Sequence, residues 1–197
     1  MSDDHLKHHH PPAGTATVGM YLFLAALTML FASSLLGYVI IRINHNRSAN
    51  APHVHIALPH ILWLSTVLVI GASLSLHRAL YEVRRERQTA FRGWLITSLT
   101  LGAAFVIVQT PAMANLLSQH RELRKSNLGI YGLVFVLVLI HALHVLGGIV
   151  ALVRLWVRAR SHTYDHEHYQ PVRYATLYWH FLDIVWLVMF GTFLLVP

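Results

Sequence analysis

Four stretches of this chain are each long enough to cross a bilayer yet hold at most one Asp, Glu, Lys or Arg. They are Gly19–Ile41, Gly93–Leu117, Leu128–Val153 and Tyr174–Pro197. An α-helix needs about 20 apolar residues to span the hydrocarbon, where its backbone groups must pair among themselves. A fifth run, Pro59–Leu76, is shorter and continues amphipathically through Tyr81. These runs predict an all-α integral membrane protein with five transmembrane helices, at about 19–41, 57–80, 93–117, 128–153 and 174–197. Residues 1–18, polar, His-rich and Pro-containing, read as a flexible cytoplasmic tail in which His8, His9 and His10 form at most a weak metal-binding tract. Short connections make neighbouring helices antiparallel members of one bundle.

Composition agrees. Hydrophobic residues make up 55% of the 197 positions and charged residues 12%, against about 25% charged in soluble domains. There is no cysteine, which excludes a disulfide framework, a thiolate metal site and a cysteine-ligated iron–sulfur cluster. The net charge of +7 sits in short loops between apolar spans, so topology accounts for it and no nucleic-acid partner is expected. Ten Lys and Arg residues fall on the side of the N-terminus and five on the other. That bias predicts the N-terminus inside and the C-terminus outside. The first span is too long for a signal-peptide core, and Pro52 directly follows Ala49-Asn50-Ala51, so an uncleaved protein is expected.

Of eight acidic residues, only Asp183 falls within a span. It stands three residues after His180, flanked by Trp179 and Trp186, so the pair shares one helix face. A membrane carboxylate is costly and calls for a partner or a task. Pumps and coupled carriers use chains of buried acids and broken helices, which a single carboxylate does not supply. His141 and His144, also three apart, could ligate haem or copper or could brace helix contacts. Three membrane histidines are few for a coupled metal centre, which favours bracing. Arg173, Tyr178 and Trp179 open the last helix with the chemistry of an interfacial anchor, which also suits a lipid phosphate. His60 and His77 lie at span boundaries, where polar tips reach the interface. Small residues (Ser33 and Gly37, Gly71 to Ser75, Gly147 and Gly148) read as places of close helix packing.

The fourth span contains IHALHVLGG (Ile140–Gly148), entered through Gly129-Ile130-Tyr131-Gly132, and the last contains YWHFLDIVWLVMF (Tyr178–Phe190). Together these motifs resemble subunit III of the haem–copper oxidases, most closely the cytochrome c oxidase type. More loosely similar are Gly19–Ala25 at the opening of the first helix and Gln109 after LGAAF. The resemblance covers about residues 18 to 197 and is to the five-helix bacterial form. It implies a V-shaped bundle whose cleft holds phospholipid, in a bacterial plasma membrane. It implies an accessory, non-catalytic subunit of an aerobic terminal oxidase that binds no cofactor itself. Haem and copper would reside in partner subunits, with subunit I as the direct neighbour and subunit II in the same complex. Carried over by motif, Arg173, Trp179, His180 and Asp183 would line the cytoplasmic side of the lipid cleft, and His141 and His144 would brace helix contacts. Leu27 and Ala112 stand where the family commonly has glutamates, which puts the roles associated with those carboxylates in doubt. The alternatives are a quinol oxidase subunit III or a nitric oxide reductase accessory protein and, from another class, a transporter or haem carrier built on His141, His144, His180 and Asp183.

Overall fold

A computed structural model describes residues 14–47, 61–122, 128–160 and 169–195. Five α-helices account for nearly all of these residues: α1 (Thr15–Arg47), α2 (Ile61–Arg84), α3 (Gln88–Glu122), α4 (Leu128–Ala159) and α5 (Gln170–Leu195). Each is long and apolar enough to cross a membrane, and no strand occurs among the described residues. Residues 1–13, most of the predicted tail, lie outside the described residues. The helices outrun the apolar stretches that predicted them. α1 begins at Thr15, and α3 continues through the polar turn Ser118–Glu122. Hydropathy marks where lipid ends, whereas the helix ends where its backbone bonding ends.

Several hydroxyls inside the spans bond back to their own helix. Thr28 donates to Leu24 O at 2.8 Å, Ser34 to Leu30 O at 2.8 Å and Thr192 to Val188 O at 2.7 Å. This satisfies each side chain locally, so it can face lipid without an orphaned donor. Pro111 sits inside α3, where it lacks the N–H that would bond Ile107 O. It falls at the end of that helix's candidate span, Gln88–Pro111.

α2 and α3 are joined by three residues. Arg87 N donates to Glu82 O at 3.1 Å and Glu86 N to Val83 O at 3.2 Å, a Schellman closure with Glu86 in the left-handed region at φ 61°. The Arg87 guanidinium, 3.9 Å from the Glu82 carboxylate, spans the same turn. The tight reversal lays α3 along α2.

α2, α3, α4 and α5 close into a ring in which each packs on the next and α5 returns to α2. Among the described residues, α1 packs only on α4 and α5. Two apolar cores result. One fills the ring, with Leu76, Phe91, Phe105, Leu152, Trp179 and Trp186 among its members. The other joins α1 to α4 and α5 through Phe31, Tyr38, Leu137, Val185, Met189 and Phe193. The small residues of α2 serve the ring as expected: Ser98 Oγ donates to Ala72 O at 2.9 Å, and Gly71 admits the Leu101 side chain. Ser33 and Gly37 do not pack against another helix of this chain. Ser33 is exposed and bonds Leu30 O, and nothing stands within 4 Å of a Cβ built on Gly37.

Candidate functional site

α5 is the hub of the bundle, and its faces do different work. Trp179 points to the centre of the ring and is fully buried. A Cβ on Gly102 of α3 would stand 2.8 Å from Trp179 Cη2, and one on Gly148 of α4 would stand 3.3 Å from its Cε2 and Nε1. Two glycines on two helices thus form the slot that admits the indole. Gly147, beside Gly148, faces Tyr178 at a looser 3.8 Å. Tyr178 donates to His144 O at 2.9 Å and lies near Phe23 of α1.

His180 and Asp183 both meet α2. Ser73 Oγ lies 2.6 Å from His180 Nδ1 and is also the hydroxyl that bears on the Asp183 carboxyl. The His77 ring, one turn along α2, lies 5.7 Å from the His180 ring, centroid to centroid. His77 is exposed, His180 half-buried and Asp183 only 7% exposed. Asp183 Oδ1 has no hydrogen-bond partner among the described residues, nor does the indole nitrogen of Trp179.

His141 and His144 do not converge on a common ligand position. His141, buried, stacks on Trp186 with ring centroids 5.6 Å apart and meets the edge of Phe31; neither ring nitrogen has a partner among the described residues. His144 Nδ1 lies 2.7 Å from Ile140 O of its own helix. Trp186 continues the chain of contacts, donating from Nε1 to Thr66 Oγ1 of α2 at 3.0 Å and packing edge-on against Phe105. Arg173 is half-buried at the start of α5, beside Tyr174, whose hydroxyl lies 2.7 Å from Thr17 Oγ1 of α1.

The profile of the family described as cytochrome c oxidase subunit III matches residues 3–195. The chain belongs to the cytochrome c oxidase subunit III family. It is 27% identical over 177 residues to a probable cytochrome c oxidase subunit 3 of Nocardia farcinica, covering 89% of this chain and 85% of that one. It is 25% identical over 190 residues to the cytochrome bo(3) ubiquinol oxidase subunit 3 of Pseudomonas aeruginosa, covering 96% and 88%. A cytochrome c oxidase subunit 3 of Thermostichus vulcanus is 25% identical over 189 residues, covering 95% and 89%. With its five apolar helices, this subunit III family member is a multi-pass bacterial membrane protein.

In this subunit III chain, Leu27 is buried, so a carboxylate there would be enclosed by protein. Ala112 lies within α3, but its side-chain surroundings fall outside the described residues. Apolar grooves mark the surface of the described residues. One, of about 480 Å³, runs between α1 and α5, lined by Phe31, Ala32, Leu36, Phe181 and Val185 among others. Another, of about 320 Å³, lies between α3 and α4 beside buried Gln109. Trp179, His180 and Asp183 line neither; they turn toward α2, α3 and α4.

Gly102, Ser73, Thr66 and His77 were not legible as parts of this arrangement. Ser73 read as a packing residue and His77 as interfacial, and only the pairing of α2 with α5 shows their partners. The one sequence signal for Ser73 and His77 is their i, i+4 spacing, which places a hydroxyl and an imidazole on one helix face.

Proposed function

We propose that this chain is the accessory, non-catalytic subunit III of a respiratory terminal oxidase, bracing the catalytic subunit I and retaining phospholipid at its side. The observation that carries the reading is the divergence of the membrane histidines. His180 is turned to Ser73, His141 lies against Trp186 and Phe31, and His144 bonds its own helix, so no two present nitrogens to one ligand. The interior between them is filled by Trp179 and Trp186. That packing supports a subunit that leaves redox chemistry to a neighbour, and it disfavours a haem carrier or a transporter.

The α1–α5 groove is suited to an acyl chain, being apolar apart from Thr28, whose hydroxyl is already bonded to its own helix. At about 1.5 Å per residue, Thr28 stands roughly 20 Å along α1 from its start, so the groove serves the leaflet farther from the arginine-rich end. At that end Arg84 lies over Tyr169, Arg85 over Tyr81 and Arg160 over Trp156. This is the cation-bearing interface expected of a cytoplasmic face, with the N-terminus inside. Arg173 lies at the same end and suits a lipid phosphate there.

The test is purification of the tagged chain from its host membrane in mild detergent. Co-purification with a haem–copper subunit, with haem in the complex and none in the separated chain, is the expected result. A chain recovered alone with a haem spectrum overturns the reading. A second reading, subunit III of a quinol oxidase, has support from the Pseudomonas relative. Whether the purified complex oxidises reduced cytochrome c or a quinol separates the two.

A further inference from the structure

Ser73 and His77 on α2 face His180 and Asp183 on α5, and together the four side chains form a graded series. His77 is exposed, His180 half-buried, and Ser73 and Asp183 buried. The series begins about 10 Å from the arginine-bearing end of α2 and runs inward along the helix. Its links are the His77–His180 ring contact at 5.7 Å, the Ser73 Oγ to His180 Nδ1 contact at 2.6 Å, and the approach of the Ser73 hydroxyl to the Asp183 carboxyl. It ends on Asp183 Oδ1, buried and without a partner among the described residues.

We propose that this series is a proton-exchange route, through which the buried Asp183 carboxyl binds and releases a proton at one membrane face. Every member can carry the exchange. A hydroxyl donates one hydrogen bond while accepting another, and imidazole gains a proton at one nitrogen while losing one from the other. With Asp183 ionised, a proton taken up on His180 Nε2 gives an imidazolium whose Nδ1–H donates to Ser73 Oγ. The Nδ1 proton passes to Oγ as the Oγ proton passes to the carboxylate. The products are a neutral imidazole, an intact serine hydroxyl and a protonated carboxyl. One proton has been taken up, no heavy-atom bond has changed, and no electron has moved.

The groups bearing on Asp183 come from α2 and α5: Ser73 from the first and His180, three residues earlier, from the second, with His77 against the His180 ring. At the level of Trp179, α3 and α4 present Gly102 and Gly148, and α3 also sets Ser98 against α2, where it donates to Ala72 O. The route is closed at its inner end. The next hydroxyl along α2 toward the other face, Thr66, already accepts the Trp186 N–H. Beyond Trp186, His141 makes ring contacts and no hydrogen bond among the described residues. A proton can therefore load Asp183 from one face without crossing the bundle, unlike the through-going relays of pumps. This inference does not depend on the proposed oxidase role.

The experiment is hydrogen–deuterium exchange read by infrared spectroscopy on the full chain in lipid nanodiscs. The protonated carboxyl stretch of Asp183 is assigned by its loss in Asp183→Asn, and its deuterium shift is timed after a change to heavy water. His180→Phe, which keeps ring volume and removes the relay nitrogens, is expected to slow exchange roughly tenfold or more. His77→Phe, at an exposed position that tolerates the change, is expected to slow it several-fold and keeps the test open if the His180 variant does not fold. Wild-type exchange rates in His77→Phe and His180→Phe overturn the proposal. So does the absence of an Asp183 carboxyl band anywhere between about pH 5 and pH 9, the range in which imidazoles exchange protons readily.

Discussion

Trp179 and Gly102 meet so closely that the tip of the indole occupies the space a Cβ on the glycine would need, at 2.8 Å. α3 and α5 face each other across the ring, and this side chain spans the gap, as the Phe105–Trp186 contact does farther along. In lipid, helices gain little from excluding water, so a bundle is held by such close fits. The largest buried side chain of the molecule is thus seated by the smallest residues of two other helices. The seat also places Trp179 one turn from Asp183, on the helix that carries the polar series.

Gly102→Ala is expected to be the most damaging of the glycine-to-alanine changes in the bundle. The indole is fully buried and rigid, so neither partner can yield cheaply, and overpacking of this kind costs about 1–3 kcal/mol. Gly148→Ala, where the approach is 3.3 Å, should cost less, and Gly147→Ala, at 3.8 Å, should be near neutral. Unfolding midpoints in mixed detergent, followed by tryptophan fluorescence, check the order 102, then 148, then 147.

Thr66→Val removes the acceptor of the Trp186 N–H while keeping the shape of the side chain. Membrane hydrogen bonds average about 0.6 kcal/mol in double-mutant cycles, whereas a buried donor left unpaired costs about 1–3 kcal/mol. The Trp186 N–H makes its one hydrogen bond among the described residues to Thr66, so a loss near 1 kcal/mol is expected. Combining Thr66→Val with Trp186→Phe should cost less than the sum of the two single changes. A cycle that closes additively would show that the bond contributes nothing.

His141→Phe should be tolerated within about 1 kcal/mol, because the ring stack on Trp186 survives and no recorded hydrogen bond is lost. His141→Ala opens a cavity in a close-packed layer and should cost about 2–4 kcal/mol. Detergent-unfolding curves of the two variants measure the difference. A phenylalanine variant as unstable as the alanine one would mean that the imidazole nitrogens hold something the described contacts do not include.

The five spans, and the closing helix as the one that carries a His–Asp pair, were legible in the sequence because uncharged runs and an intramembrane carboxylate are local signals. The partners of that pair were not. Ser73 and His180 are 107 residues apart, and nothing in ASLS (Ala72–Ser75) separates a hydroxyl that packs from one that bonds. Gly102 was hidden for a similar reason, since a single glycine in LGAAF carries no sign of the indole it admits. Ser33 and Gly37 show the opposite error. Their spacing promises close packing, yet they face away from the rest of the chain, because α1 uses Phe31, Leu35 and Tyr38 against α4 and α5. Helix ends were misplaced wherever a polar turn extends a helix beyond lipid, as at Ser118–Glu122.

Filling the α1–α5 groove tests lipid retention separately from stability. Ala32 lines that groove and is exposed within this chain, so Ala32→Phe adds bulk where an acyl chain would lie without disturbing either apolar core. The expected outcome is loss of about one tightly held phospholipid per chain, since a groove of this size accommodates a single chain segment. The unfolding midpoint should stay near the wild-type value. Val67→Phe, on the outward face of α2 and away from both grooves, should leave the lipid count unchanged. Native mass spectrometry of the detergent-solubilised protein reads the count directly. Equal lipid retention in Ala32→Phe and the wild type would remove the groove from the proposed role and leave the arginine-bearing end, with Arg173, as the place where lipid is held.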